Sequence, residues 1–141
     1  MKEDFALTVS REIAAPAEAL FDAWLEPRSL NIWLRPSVIA QTRAEIDPRV
    51  GGEFRIVMVR DDAEVLHSGR YLEIDRPRRL VFSWSSPATG HRESIVTVTF
   101  QARAESTLVE IHQVGLADEQ ARAGHHEGWS DILRELAAFQ R

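Results

Sequence analysis

Phe5, Leu7, Val9 and Ile13 fall on odd positions with Thr8, Ser10 and Glu12 between them. A period of two with one wet face predicts a strand, although Arg11 interrupts its apolar side. The rhythm changes at Ala14-Ala15-Pro16: proline suits a first helical turn, and Leu20, Phe21 and Trp24 recur at helical spacing. Pro27 ends that helix, because the residue before a proline disfavours helical geometry. A second short helix is expected over roughly Arg28 to Trp33, stopping before Pro36.

Strand patterns then follow one another. Runs are predicted at Val38 to Ile46, Glu53 to Val59, Glu64 to Ile74, Leu80 to Trp84, Ile95 to Phe100 and Val109 to Gln113. Phe54, Ile56 and Met58 share one face, as do Val96, Val98 and Phe100. Asp47 to Gly52, Asp61-Asp62, Asp75 to Arg78, Ser85 to Gly90 and Ala102 to Ser106 supply turns between them, the signature of antiparallel hairpins. Beyond Gly115 the period lengthens. From Asp118 to Gln140, His125, Trp129, Leu133 and Leu136 lie three or four residues apart, which predicts a long helix with one inward stripe.

The order β-α-α-β-β-β-β-β-β-α places the chain in the α+β class. Its economical packing wraps a curved antiparallel sheet around the last helix. Such a grip leaves room for a cavity between sheet and helix. At 141 residues a single domain over 1–141 is expected, long enough to bury a core. The formal charge of −5 argues against general nucleic-acid binding, which shows a basic footprint. The absence of cysteine removes disulfides and thiolate chemistry. The charged opening Met1-Lys2-Glu3-Asp4 is unlike a signal peptide, and no window reaches the ~18 apolar residues of a membrane helix. A cytoplasmic protein, monomer or homodimer, is expected.

Several segments together resemble a known family. Ala14-Ala15-Pro16 followed by Leu20-Phe21-Asp22-Ala23-Trp24 is similar to an "APxxxVFxAxT" opening, and Trp33 with Pro36 to "WWxP". Asp47 to Arg55 resembles "DxRxGGxFR", and Gly69 to Trp84 resembles "GxxLEIxPPxxLxFTW". Gly115-Leu116 and His125 to Leu136 resemble "GL…HxxGWxxxLxxL". In this order they resemble the activator of Hsp90 ATPase homologue 1-like family, within the START-like superfamily. Leu34, Arg35 and Gln113 depart from the pattern, standing where Trp, Gly and often His are usual. The resemblance implies a helix-grip fold and a pocket for a small hydrophobic or amphipathic ligand. It also brings a cyclase or hydrolase, or an Hsp90-type chaperone partner, as alternatives. The co-chaperones that name the family carry a further N-terminal domain, so chaperone activation does not follow from the name.

The candidate ligand-binding set is Trp33, Phe54, Ile56, Met58, Phe82, Trp84, Arg92, Val98, Phe100, Gln113, His125 and Trp129. Gln113 sets a polar amide on the apolar face of Val109 and Ile111, where it meets either a ligand or a neighbour such as His125. His125 either contacts a ligand or bonds a backbone group of the sheet. Arg92 extends the inward register of Val96 and Val98, either to receive a carboxylate or to pair with an acid at the rim. Trp24 and Trp129 suit core packing; Trp33 and Trp84 are placed nearer the mouth, partly on the resemblance. Glu73 becomes a general base if it faces inward, and its facing is open. Asp47 and Arg49 flank a turn. His125-His126-Glu127 lacks metal-site spacing, and no nucleophile elbow, phosphate loop or dinucleotide fingerprint is present. No metal, cofactor or catalytic residue is assigned, and binding ranks ahead of catalysis.

Overall fold

The computed structural model describes residues 5–140; the charged opening, residues 1–4, and residue 141 lie outside it. The chain runs β1 (Phe5–Ile13), α1 (Ala17–Ala23), α2 (Pro27–Trp33), β2 (Gln41–Ile46), β3 (Glu53–Arg60) and β4 (Ala63–Asp75). It continues as β5 (Arg79–Trp84), a 3-10 turn at Pro87–Thr89, β6 (Ser94–Ala102), β7 (Thr107–Leu116) and α3 (Glu119–Phe139). This is the expected order, with boundaries moved most at the start of β2 and at both ends of β7, which runs past the expected Val109 to Gln113. Residues 37–40, read as the start of a strand, form a turn before β2, and Val38 is exposed.

All seven strands join one antiparallel sheet in the order β1-β7-β6-β5-β4-β3-β2. Asp61 and Asp62 take left-handed backbone angles between β3 and β4, the conformation a two-residue hairpin turn requires. β4 changes partner along its length: Ala63 to Arg70 pair with β3, whereas Tyr71 onward pairs with β5. Gly69 sits at this handover. A Cβ there would run into the Ser83 carbonyl and the Phe54 ring, so close approach of backbone demands glycine. At the β2 edge, Asn31 Oδ1 accepts the Ala44 N–H at 2.7 Å and Thr42 Oγ1 donates to the Leu34 carbonyl at 2.8 Å. Asn31 thereby pairs a backbone N–H that an open sheet edge would leave unmet, while Thr42 satisfies a carbonyl at the end of the second helix.

Asp118 caps α3 by accepting the Ala121 N–H at 2.8 Å. The helix buries Trp129, Leu133 and Leu136 of the expected stripe, together with Ile132 and Ala137, against β1 and β7, while His125 is only half-buried. α1 lies under β6, where Phe21 meets Phe100 edge-on at 5.2 Å between ring centres. These two short helices and the C-terminal half of α3 fill one end of the concave sheet. The other end, beside the N-terminal half of α3, stays open.

Candidate functional site: an aromatic cleft beside the long helix

The space between sheet and helix divides in two. An open cleft of about 810 Å³ lies between the first turns of α3, the Pro36–Ile39 turn, the ends of β3 and β4, and the 3-10 turn. Behind it lies a void of about 20 Å³, bordered by Trp24, Leu30, Leu34, Phe54, Ile56, Tyr71, Leu80, Phe82 and Trp84. The bulk of the aromatic side chains explains the division. Phe54, Phe82 and Trp84 sit within 6.0 Å of one another between ring centres and close off the interior.

Hydrogen bonds brace the walls of the cleft. Ser37 donates its N–H and its hydroxyl to Asp131 Oδ2, at 3.0 and 2.8 Å, pinning the Pro36–Ile39 turn to α3. Burial alone would raise the Asp131 pKa, but the two Ser37 donors and Arg134 hold it below its ordinary value. On the opposite wall Ser86 and Thr89 cap the 3-10 turn reciprocally, and Thr89 Oγ1 donates to the Arg92 carbonyl at 2.7 Å. Gly124 and Gly128 leave the helix wall low: a Cβ at Gly124 would meet nothing within 4 Å.

The floor is aromatic. Trp84 lies 5.1 Å from Trp129 on one side and 5.1 Å from the His67 ring on the other, with Met58 beside them. A buried relay fixes this floor from below. Trp129 Nε1 donates to Gln113 Oε1 at 2.8 Å, Gln113 Nε2 donates to Ser94 Oγ at 2.9 Å, and Ser94 Oγ donates to the Trp84 carbonyl at 2.7 Å. An indole N–H can only donate, which sets the orientation of the Gln113 amide. Three strands and the long helix are thus tied at one point.

Two imidazoles border the cleft. His125 Nδ1 lies 2.7 Å from the Ala121 carbonyl; a carbonyl only accepts, so Nδ1 carries the proton and Nε2 keeps its lone pair. Burial pushes the His125 pKa below 6.5, and the Ala121 bond partly offsets this. Burial lowers His67 as well; the Ile56 and Val65 carbonyls pull it partly back, and His125 adds a repulsive contribution. Neither carbonyl meets hydrogen-bond geometry with His67 Nδ1, which is buried without a partner. Both rings are therefore neutral at pH 7. Arg60, Asp118 and Glu127 stand around the cleft with Asp131.

The expected site residues separate into groups. Met58, Trp84, His125 and Trp129 border the cleft. Phe54, Ile56 and Phe82 border only the inner void, and Val98 and Phe100 are packed in the core away from both. Trp33 is not near the mouth: it is 1% exposed, and its Nε1 donates to the Ala23 carbonyl at 3.3 Å, because α2 turns its ring inward against Trp24. Gln113 is wholly buried and bonds Trp129 and Ser94, not His125 and not the cleft. His125 bonds its own helix in place of the sheet. Arg92 does not extend the β6 register; the strand begins at Ser94, and Arg92 lies in the exposed turn before it. Glu73 faces outward, displaced by the irregularity after Tyr71, and pairs with Arg79 at 3.3 Å. His67 is the residue the periodicity reading overlooked. The signal was present: a two-residue turn at Asp61-Asp62 pairs Ile56 with His67 and puts both on the inward face. Among the described residues no group of three His, Cys, Asp or Glu is placed to hold a metal, and no helix is long and apolar enough to cross a membrane.

Comparison with solved structures places this architecture in known company. The chain is similar to protein CV1439 from Chromobacterium violaceum, with TM-score 0.84 and 26% identity over 94% of each chain. It is similar to protein NE0264 from Nitrosomonas europaea, with TM-score 0.81 and 24% identity over 95% of this chain and 92% of that one. CalU16 from Micromonospora echinospora gives TM-score 0.74 and 25% identity over 96% of this chain and 76% of that one. No curated protein matches. The sequence model described as "Activator of Hsp90 ATPase homolog 1-like protein" matches residues 14–140, nearly the whole span just described. With its seven-stranded sheet gripping the terminal helix, this chain belongs to the activator of Hsp90 ATPase homologue 1-like family and has the START-like helix-grip fold.

Proposed function

We propose that the protein, working as one domain, binds a small, flat, amphipathic ligand in the cleft beside α3. The observation that carries this reading is the cleft itself. Its volume of about 810 Å³ is in the range of small-molecule sites, and its floor combines Trp84, Trp129 and Met58 with two neutral imidazoles. Flat aromatic surface on the ligand would stack on the indoles, while a hydroxyl would donate to His125 Nε2. A ligand at a hundred times its Kd stabilises the fold by about 2.7 kcal/mol, so binding is readable as a thermal shift.

The test uses 2-naphthol, 1-anilinonaphthalene-8-sulfonate and oleate, read by melting temperature and tryptophan quenching. At least one aromatic probe should raise the melting temperature. Gly124→Leu, which has room for its side chain only in the cleft, should abolish that shift without unfolding the chain. No response to any probe, or an undiminished response in Gly124→Leu, rejects the reading.

A catalytic variant of the same proposal rests on His125. With Nδ1–H held by Ala121, Nε2 is positioned as a proton acceptor, though burial makes it a weaker base than a free imidazole. His125→Gln separates the two: loss of turnover of a bound aromatic ester or ketone with binding retained favours catalysis, and unchanged turnover removes it.

A further inference from the structure

Trp24 lies beneath the cleft with 4% of its surface exposed, and its Nε1–H has no hydrogen-bond partner. Leaving a buried donor unmade is costly, so native folds rarely do it without a partner arriving from elsewhere. A water in the adjoining void is the first candidate. The void of about 20 Å³ has the volume for one, but a held water needs two to four polar partners. Its walls are Leu30, Leu34, Phe54, Ile56, Leu80 and Phe82, with the Tyr71 phenol as the other polar side chain besides the two indoles. A water there would have two donor-only indoles and one phenol to bond, the low end of that requirement.

Among the described residues, Trp84 alone borders both the void and the cleft. It stands at the end of β5, where the strand gives way to the Ser85–Gly90 loop. Its backbone is anchored by Ser94, whereas its ring is held by packing against His67, Trp129, Phe54 and Phe82 rather than by a hydrogen bond among the described residues. We propose that Trp84 is a gate, and that the void behind it is the deep end of the binding site, where the Trp24 indole N–H donates to a carbonyl oxygen of a planar aromatic ketone. The space a turned Trp84 vacates is that of a fused bicyclic ring. A bicyclic aryl ketone fits it in shape and supplies the acceptor that the apolar walls lack. This deepens the cleft-binding proposal and rests on it.

The experiment compares 1-indanone with indane, which has the same rings and no carbonyl, on protein labelled with ¹⁵N at its indole nitrogens. At saturation 1-indanone should move the Trp24 Nε1–H resonance downfield, and indane should not. Trp24→Phe should weaken 1-indanone binding by roughly fivefold or more, as for loss of a hydrogen bond to a buried donor, and leave indane unchanged. If Trp24→Phe does not fold, the wild-type resonance decides alone. Should 1-indanone shift only the Trp84 and Trp129 resonances, the deep subsite is wrong while cleft binding stands. Equal shifts at Trp24 from both compounds overturn the donor role. No shift at any indole from either compound overturns the gate and counts against cleft binding too.

Discussion

Gln113 uses both ends of its amide on neighbours, and those neighbours belong to different elements. Replacing it by Leu would keep the volume but strand the Trp129 N–H and one side of Ser94 Oγ. The expected cost is about 2–3 kcal/mol, since each buried unsatisfied group costs about 1–3 kcal/mol. In that background Trp129→Phe should cost at least about 1 kcal/mol less than it does alone, because the donor it removes has already lost its acceptor. Urea denaturation of the four-member cycle measures this; simple additivity would break the relay. The two histidines set a pH dependence. Burial holds both below 6.5 in the folded chain, so between their folded values and 6.5 the unfolded chain binds more protons. Their contribution is present above about pH 7, is lost as pH falls through 6.5, and levels off once the folded rings are charged. Asp131 acts lower, its contribution fading as pH drops below 3.8. The double variant His67→Gln, His125→Gln should flatten the urea midpoint between pH 7.5 and 5.5; an unchanged slope would show that other groups set it.

At the level of elements, α3 serves two purposes along its length. Its second half buries Ile132, Leu133, Leu136 and Ala137, while its first half carries Gly124 over open space and Gly128 against Pro36. Glycine inside a helix costs about 1 kcal/mol relative to alanine. Gly124 is not required by its backbone or by any close neighbour, so Gly124→Ala should stabilise the protein by about 0.5–1 kcal/mol in urea unfolding. A destabilising result would mean that the helix start needs glycine for a reason its geometry does not display. On the proposed ligand-binding reading, the stability forgone keeps the cleft wall low. The β3–β4 hairpin shows how far element-scale reading reaches. Alternation assigned Phe54, Ile56 and Met58 to the inner face, and the Asp61-Asp62 turn set the register that brings His67 across from Ile56. Beyond Tyr71 the register slips, and Glu73 turns outward where a simple count left its facing open.

For the molecule as a whole, the decisive feature is that packing is uneven. Leu136, 0% exposed, lies at the closed end; cutting it to Ala should cost about 2–5 kcal/mol, with no room nearby for collapse. The affinity of any cleft ligand for the folded form should be unchanged by it, because Leu136 borders neither space. Calorimetric titration at a temperature where the variant stays folded checks this, and a parallel loss of affinity would mean that the two ends are coupled. Exposed ion pairs such as Arg76 with Asp22 and Arg70 with Glu53 add little to this balance, since pairs in water contribute at most about 1 kcal/mol.

Element order, the inward faces of the strands and the stripe of the last helix could all be read from the chain, because periods of two and of 3.6 are local properties of backbone geometry. The family motifs were legible for the same reason: they are runs of neighbouring residues. The partners of Gln113, the inward turn of Trp33, the displacement of Arg92 and the split of one expected cavity into cleft and void were not. Each depends on how side chains from separate elements share a fixed volume, and a polar group takes whichever partner that packing brings within about 3 Å. Pattern says which side a residue faces; only the assembled aromatic layer says whether that side is filled or empty.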